Sequence, residues 1–334
     1  MLARIKPDGF TIALLTTVLI ASFLPCRGDA AVAFGWATKI AITLLFFMHG
    51  AKLSREAILG GIGAWRLHLA VTFATFVLFP LLGILIGTLP DGLVDTDMKA
   101  GMLFLAILPS TVQSSIAFTS IAGGNVAGAV CSASLSNILG VILTPLLAGV
   151  LIHSSGGSAG GPDILSAIIS VATTLLLPFI LGHLSRPLTA KFVNRHKALL
   201  GRVDRGSILL VVYTAFSAAV IEGLWSRITA HDLIAIALLS ILLLSLVLCA
   251  TKLMARLLGF SRPDEITLVF CGSKKSLASG VPIAAALFPA AQVGPVILPL
   301  MLFHQIQLIA CAFIARAYAE SAAKADAALA ADAR

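Results

Sequence analysis

The chain has 334 residues, of which 59% are hydrophobic and 11% charged, and its mean hydropathy is +1.03. Soluble globular domains contain about 25% charged residues, so the composition excludes a soluble protein and indicates a polytopic membrane protein. The net charge of +8 would suggest nucleic-acid binding in a soluble protein. Here the basic residues lie between apolar segments, so membrane topology explains them and no nucleic acid is expected.

Five apolar segments fill the first half of the chain. The first, Phe10–Leu24, follows basic residues as a signal peptide would, but further apolar segments come after it, so we expect an uncleaved helix. Segments two to five are 31–50, 67–89, 100–122 and 126–153, and a basic amphipathic stretch, 52–66, precedes the third. The polar residues Pro109–Ser115 interrupt the fourth segment, and Asn125 before the fifth fits a helix N-cap better than a ligand contact.

The second half repeats this plan after a glycine- and serine-rich loop, 154–162, which has the composition of a flexible linker. Its segments are 164–184, 208–225, 233–258, 266–287 and 293–317, with a basic connection between the first two. The alanine-rich tail from residue 320 is expected to be a fraying helix or disordered. The predicted organisation is a five-helix repeat in 1–153, the linker 154–162, a second repeat in 163–318 and a cytoplasmic tail in 319–334.

The ninth segment carries two adjacent lysines, Lys274 and Lys275, between two apolar stretches. Each stretch is too short to span a bilayer, which needs ~20 residues, but the two together are long enough. We therefore expect one broken membrane helix whose irregular backbone is buried in protein or lines a cavity. The fourth segment has a matching interruption, and matched interruptions in two halves are typical of transporters built from inverted repeats.

Loop charges support this count of ten segments. If the N-terminus is cytoplasmic, seventeen of the 23 lysines and arginines lie at cytoplasmic ends and loops, and three lie outside. This asymmetry satisfies the positive-inside rule. It predicts a multi-pass membrane protein with both termini in the cytoplasm.

The two lysines are the first candidates for function. In an unwound break both could line one cavity, where they could load and release a proton, hold an anionic substrate or take the place of a metal cation. The structural alternative is that they reach the lipid headgroups or pair with Asp264 or Glu265. Lys274 is nine or ten residues from those acids, about 14 Å along a helix, which is too deep for easy snorkelling.

The remaining candidates surround the two interruptions. In the fourth segment the polar side chains could bind a substrate or could merely satisfy the backbone freed at the proline; they are Thr111, Gln113, Ser114 and Ser115. In the ninth segment Ser273 and Ser276 flank the lysines, which would also allow the Ser-Lys dyad of an intramembrane hydrolase. An adjacent serine and lysine is weak evidence without a known motif, and the chain has no HExxH motif. No enzyme activity, cofactor or metal is expected.

Five stretches of the chain resemble the bile acid:sodium symporter family, and most closely its SBF-like branch. The resemblance covers about residues 8–318, and it is carried by 44–57, 108–137, 176–187, 264–282 and 298–308. It implies an all-α fold of ten transmembrane helices in two inverted repeats. Segments 1, 2, 6 and 7 would form a panel, and segments 3–5 and 8–10 a core in which the broken fourth and ninth helices cross.

The chain departs from the sodium-coupled members of that family at the ninth-helix break. Those members have an acidic residue two positions before the glycine of the break and Gln-Asn just after it, where this chain has Phe270 and the two lysines. A third-helix glutamine of their sodium site resembles Thr75 here. Hard cations need several oxygen ligands, so the resemblance predicts that sodium binding is lost and that an ammonium group stands in its place.

The sequence therefore predicts a secondary transporter of a small organic anion that works by alternating access and is proton-coupled or uncoupled. Two alternatives remain: a sodium-dependent bile acid or organic anion symporter, and a non-transporting membrane regulator of ion homeostasis. The expected partners are the anion, protons and the lipid bilayer.

Overall fold

The computed structural model describes residues 9–52, 64–90, 96–151 and 172–332, and this part of the chain is helical with no strand. The helices of the first half are α1 Gly9–Phe23, α2 Gly28–Lys52, α3 Trp65–Gly87, α4 Thr96–Ala106, α5 Gln113–Ile121 and α6 Val126–Leu151. Those of the second half are α7 Leu177–Leu184, α8 Arg186–Arg195, α9 Lys197–Ile221, α10 Leu224–Arg227, α11 Ala230–Leu257, α12 Arg262–Gly272, α13 Leu277–Leu287 and α14 Ala290–Asp332.

Six of the described helices are long and apolar enough to cross a membrane: α2, α3, α6, α9, α11 and α14. Together with many exposed large apolar side chains on their outer faces, they confirm the predicted all-α, multi-pass membrane protein. The count of ten transmembrane helices and the inverted-repeat relation stay predictions. The predicted linker 154–162, the start of the sixth segment and most of the basic stretch 52–66 lie outside the described residues.

Two predicted boundaries differ from the structure. Helix α9 begins at Lys197 and not at residue 208, so nearly all of the basic connection is helical, in α8 and the start of α9, since lysine and arginine are good helix formers. Helix α14 continues to Asp332, because the alanine-rich tail contains no residue that would end it. The tail is therefore helical, and the alternative of a disordered tail is wrong.

The packing divides the described helices into two groups. Helices α1, α2, α7 and α9 pack on one another, and helices α3 to α6 pack with α11 to α14, while α9 also contacts α13 and α14. The pair α2 and α7 approaches so closely that only glycine fits at two positions. A Cβ atom at Gly50 would lie 1.9 Å from the carbonyl oxygen of Phe179, and one at Gly182 would lie 1.9 Å from that of Phe47. Small residues commonly permit such contacts between membrane helices.

Candidate functional site

Two helix interruptions meet in the second group of helices. Residues 107–112 separate α4 from α5, and residues 273–276 separate α12 from α13; we call these two segments the helix junction. The Ser276 backbone N–H donates to the Pro109 carbonyl oxygen at 2.9 Å. The Ser110 hydroxyl donates to the Cys271 carbonyl oxygen, so the two interruptions lie against each other deep in the protein.

Local chemistry explains why the helices stop there. Pro109 has no N–H group to continue α4. Helix α13 begins at an N-cap, where the Ser276 hydroxyl accepts a hydrogen bond from the Ser279 N–H at 3.1 Å. The first interruption lies earlier than predicted, at 107–112, so Gln113, Ser114 and Ser115 form the first turn of α5 and not the break.

Side chains of α6 pair with the backbone that the first interruption frees. Asn137 Nδ2 donates to the Ser110 carbonyl oxygen at 2.9 Å, and the Ser136 hydroxyl accepts from the Ser110 N–H at 3.0 Å. Thr144 donates to the Ile107 carbonyl oxygen at 2.9 Å. Buried backbone groups are almost always paired in native structures, and these three contacts hold the irregular segment in one conformation.

Gln307 on α14 fixes the second interruption in the same way. Its side-chain oxygen Oε1 accepts from the Lys275 backbone N–H at 2.9 Å, and its Nε2 donates to the Lys275 carbonyl oxygen at 2.9 Å. Gln307 is fully buried. This two-way contact sets the direction in which the Lys275 side chain leaves the backbone.

The Lys275 ammonium lies in a cradle of three backbone carbonyls. Its Nζ donates to the carbonyl oxygens of Thr75, Ala106 and Leu108 at 2.8, 2.7 and 2.7 Å. An ammonium group has three N–H donors, so every donor is used. The ring centroid of Phe79 lies 4.1 Å from Nζ, which adds a cation-π contact. Lys275 is fully buried, and all three of its N–H donors have acceptors.

A proline explains why the first carbonyl of this cradle is free. In α3 the residues Ala74–Leu78 form a π-helical turn, in which the Phe79 N–H donates to the Ala74 carbonyl oxygen. The next residue is Pro80, which has no N–H, so the Thr75 carbonyl is available to the lysine. The other two carbonyls lie at the C-terminal end of α4 beside Pro109, where the helix dipole places partial negative charge.

Lys274 has very different surroundings. It is also fully buried, but its Nζ has no hydrogen-bond partner among the described residues. The ring centroid of Phe118 on α5 lies 3.8 Å from Nζ, and that of Phe270 on α12 lies 5.9 Å away. The two lysines therefore point towards different helices, and the expectation that both line one cavity is wrong. The reason is that Gln307 holds the backbone of the second interruption in a conformation in which the Lys274 and Lys275 side chains point in different directions.

The proposed pairing of the lysines with acidic residues is also wrong. Asp264 accepts from Asn125 Nδ2 at 2.8 Å, and Glu265 accepts from the Tyr318 hydroxyl at 2.9 Å. Both carboxylates lie in the first turn of α12, where the helix dipole favours negative charge. They hold α12 against α6 and α14 and do not reach the junction lysines.

The structure places the other predicted site residues in several roles. Ser115 donates to the Phe270 carbonyl oxygen at 3.1 Å, and Thr111 shares hydrogen bonds with Ser114 and Ser115 at 2.8 and 2.9 Å. Ser115 thus links α5 to α12, whereas the backbone at the proline break is paired by side chains of α6. Gln113 is exposed at the start of α5.

Three further predicted residues make backbone contacts. Asn125 caps α6 by accepting from the Gly128 N–H at 2.8 Å, which agrees with the preferred interpretation. Ser273 donates to the Val269 carbonyl oxygen. Thr75 donates to Val71, and it meets Lys275 through its carbonyl and not through its side chain. No group of three His, Cys, Asp or Glu residues in the described ranges could hold a metal ion.

Sequence reasoning missed several residues that shape the site. Ala106 and Leu108 act through backbone oxygens, for which side-chain chemistry gives no indication. Phe79 and Phe118 look like ordinary core residues in the sequence. The one available indication was Pro80, since a proline inside an apolar segment leaves a carbonyl without its usual donor.

Comparisons with known sequences give matches along nearly the whole chain. A sequence model of the SBF-like CPA transporter family matches residues 8–320. The chain is 55% identical over 327 residues to the uncharacterized protein PA2026 of Pseudomonas aeruginosa, covering 98% of this chain and 97% of that protein. It is 54% identical over 313 residues to "Putative symporter YfeH" of Escherichia coli strain K12, covering 93% and 92%. It is 25% identical over 320 residues to sodium/bile acid cotransporter 7 of Danio rerio, covering 92% and 93%.

Proposed function

Because the chain belongs to the SBF-like CPA transporter family, we propose that it carries a small organic anion across the membrane by alternating access, without sodium as the coupling ion. The observation that carries this proposal is the Lys275 ammonium, held by three carbonyl oxygens where two broken helices meet. Broken helices near mid-membrane are where secondary transporters bind substrates and coupling ions. The membrane proposed is the bacterial inner membrane, with both termini in the cytoplasm.

The three carbonyls around Lys275 support the proposal that its ammonium takes the place of a dissolved coupling cation. Sodium, like other hard cations, is bound by oxygen ligands, and backbone carbonyls at the end of a broken helix are common donors for it. Here the ammonium of Lys275 uses all three oxygens. A second cation in the same cradle would lack ligands and would be repelled at short range in a medium of low dielectric constant.

The charge of the helix junction favours an anionic substrate. Residues 105–120 and 266–281 contain two lysines and no aspartate or glutamate. Helices α5 and α13 begin at the junction, and their N-terminal ends carry partial positive charge. A carboxylate or sulfonate would meet positive potential from both sources, whereas a cationic substrate would be repelled.

Sodium-dependent transport of a bile acid or another organic anion remains the second candidate. The observation in its favour is the name of the relatives at 22–25% identity, sodium/bile acid cotransporter 7. A membrane regulator without transport is the third candidate. Flux of carboxylates or sulfonates into proteoliposomes separates the regulator from both transporters.

A thermal unfolding assay tests the fixed cation directly. The purified protein is melted in sodium chloride and in choline chloride at equal ionic strength. An ion at 100 times its dissociation constant adds about 2.7 kcal/mol to stability, so a bound sodium ion would be visible. We expect no sodium-specific shift in the wild type, because Lys275 fills the cradle.

Removal of the lysine should create a sodium site. Lys275→Ala leaves three carbonyls without donors and leaves space for a small cation. We therefore expect this variant to melt higher in sodium or ammonium chloride than in choline chloride. Lys274→Ala is the matched control and should show no such difference. A sodium-specific shift of the wild type, or sodium-dependent uptake that Lys275→Ala does not change, would restore sodium symport as the function.

A further inference from the structure

We propose that Lys274 is the proton-binding site of the transport cycle. Its amine is neutral in the conformation described here, and it takes up a proton when the helix junction opens to water. The inference rests on the proposed transport function and assigns different tasks to the two adjacent lysines: Lys275 is the permanent cation, and Lys274 changes its charge.

The first step of the argument is the absence of acceptors around Lys274. Its side chain is completely buried, and no described residue accepts a hydrogen bond from Nζ. The contacts that Nζ does make are cation-π contacts with the rings of Phe118 and Phe270. A buried ammonium without hydrogen-bond acceptors loses its hydration without replacement, and cation-π contact with phenylalanine replaces only part of it.

The second step is the charge on every element packed around Lys274. Helix α12 contributes the thiol of Cys271, helix α14 contributes the thiol of Cys311, and α5 contributes the Phe118 ring. The residue that follows Lys274 is Lys275, whose ammonium has the same sign and uses all of its donors on backbone carbonyls. Within the described ranges no carboxylate is paired with Lys274, since Asp264 and Glu265 are held elsewhere. A neutral amine is therefore the form of Lys274 that suits this closed arrangement.

The third step follows the proton through the cycle. When the junction opens, water reaches the amine, and the nitrogen accepts one proton from that side of the membrane. The resulting ammonium attracts the carboxylate or sulfonate of a substrate. The junction can then close around an ammonium and an anion together, or around a neutral amine alone. Release of the anion on the other side leaves the ammonium unpaired, so the proton is released there too. One proton accompanies each monovalent anion.

NMR spectroscopy of the purified protein tests the protonation states without any substrate. Lysine labelled with ¹³C at Cε gives one signal per lysine, and the chemical shift distinguishes a neutral amine from an ammonium. The Lys274 signal is identified by its loss in Lys274→Met. Lys39 is a matched control, because its Nζ also lies over an aromatic ring, 4.9 Å from the centroid of Trp36, but the residue is exposed.

At pH 9 we expect the Lys274 signal at the neutral-amine position and the Lys39 signal at the ammonium position. A Lys274 signal at the ammonium position at this pH would overturn the proposal. Sodium-dependent uptake would overturn the proposed function but would leave this measurement unchanged, so the two failures can be told apart.

A second measurement uses the pH dependence of unfolding. If Lys274 is neutral when folded and protonated when unfolded, the unfolded state binds one more proton, and stability rises with pH. The unfolding equilibrium constant of the wild type should then fall nearly tenfold per pH unit relative to Lys274→Met between pH 8.5 and pH 10. Parallel pH profiles of the two proteins would contradict the assignment.

Discussion

Replacing each junction lysine with methionine separates the two environments. Methionine keeps the length and most of the volume of lysine but has no ammonium group. Lys275→Met removes three hydrogen bonds of 2.7–2.8 Å at once. Lys274→Met removes none among the described residues. Two substitutions of the same kind at neighbouring positions should therefore have very different effects.

The expected cost of Lys275→Met follows from the groups that it leaves behind. Each buried carbonyl that loses its donor lowers the free energy of unfolding by about 1–3 kcal/mol. Part of this loss is recovered, because folding no longer has to desolvate the ammonium. Three such carbonyls, less the part that is recovered, lower the free energy of unfolding by about 3–5 kcal/mol in total. At about 2–4 °C per kcal/mol, the melting temperature should fall by roughly 6–20 °C.

Lys274→Met should melt no lower than the wild type, because an apolar side chain suits the space between two phenylalanine rings better than an amine. The assay is thermal unfolding in detergent at pH 7.5, followed by the loss of monodisperse protein in size-exclusion chromatography. Equal falls in melting temperature for the two variants would refute the reasoning, as would a larger fall for Lys274→Met. Either result would mean that the contacts of Nζ do not determine the role of each lysine.

Three further predictions concern packing, the junction backbone and the possible hydrolase. Gly182→Ala should lower the free energy of unfolding by about 3 kcal/mol, because its Cβ atom would lie 1.9 Å from the Phe47 carbonyl oxygen. The control is Gly35→Ala, on the same helix as Phe47, whose Cβ atom would meet nothing within 4 Å. This variant should be neutral or slightly stabilising in the same unfolding assay. Gln307→Leu removes both hydrogen bonds to the Lys275 backbone and should lower the free energy of unfolding by about 2–3 kcal/mol. Unchanged stability would show that the second interruption keeps its conformation without these bonds. Ser276→Ala removes the N-cap of α13 and should lower the free energy of unfolding by about 1 kcal/mol; loss of hydrolysis of an ester or amide in this variant would instead identify an enzyme.

The helices and the two interruptions could be predicted from sequence because each depends on composition over many residues. Long apolar runs define α3 and α11, and a proline or a polar cluster inside such a run marks a break. The positions of the breaks were predicted to within a few residues. The start of α9 was missed, since hydropathy marks the apolar part of a helix and not its charged extension.

The roles of the two lysines could not be predicted in the same way. Adjacent residues of one type look equivalent in a sequence, and their difference arises from the Gln307 contact that fixes the backbone between them. The cradle of Lys275 is made of carbonyls from distant parts of the chain, which any residue type could supply. Sequence reasoning identified the ammonium as a substitute for a cation, but the ligands became visible only in three dimensions.

The cradle of Lys275 has a consequence for the response of the protein to its surroundings. A soluble ion occupies its site according to its concentration, so its occupancy falls when the medium is diluted. The ammonium of Lys275 is attached to the chain that supplies its ligands, so its effective concentration is set by the fold. The Lys275 side chain belongs to the segment between α12 and α13, and its Nζ binds α3 and the end of α4. The contact that joins these four helices should therefore not depend on the external salt concentration.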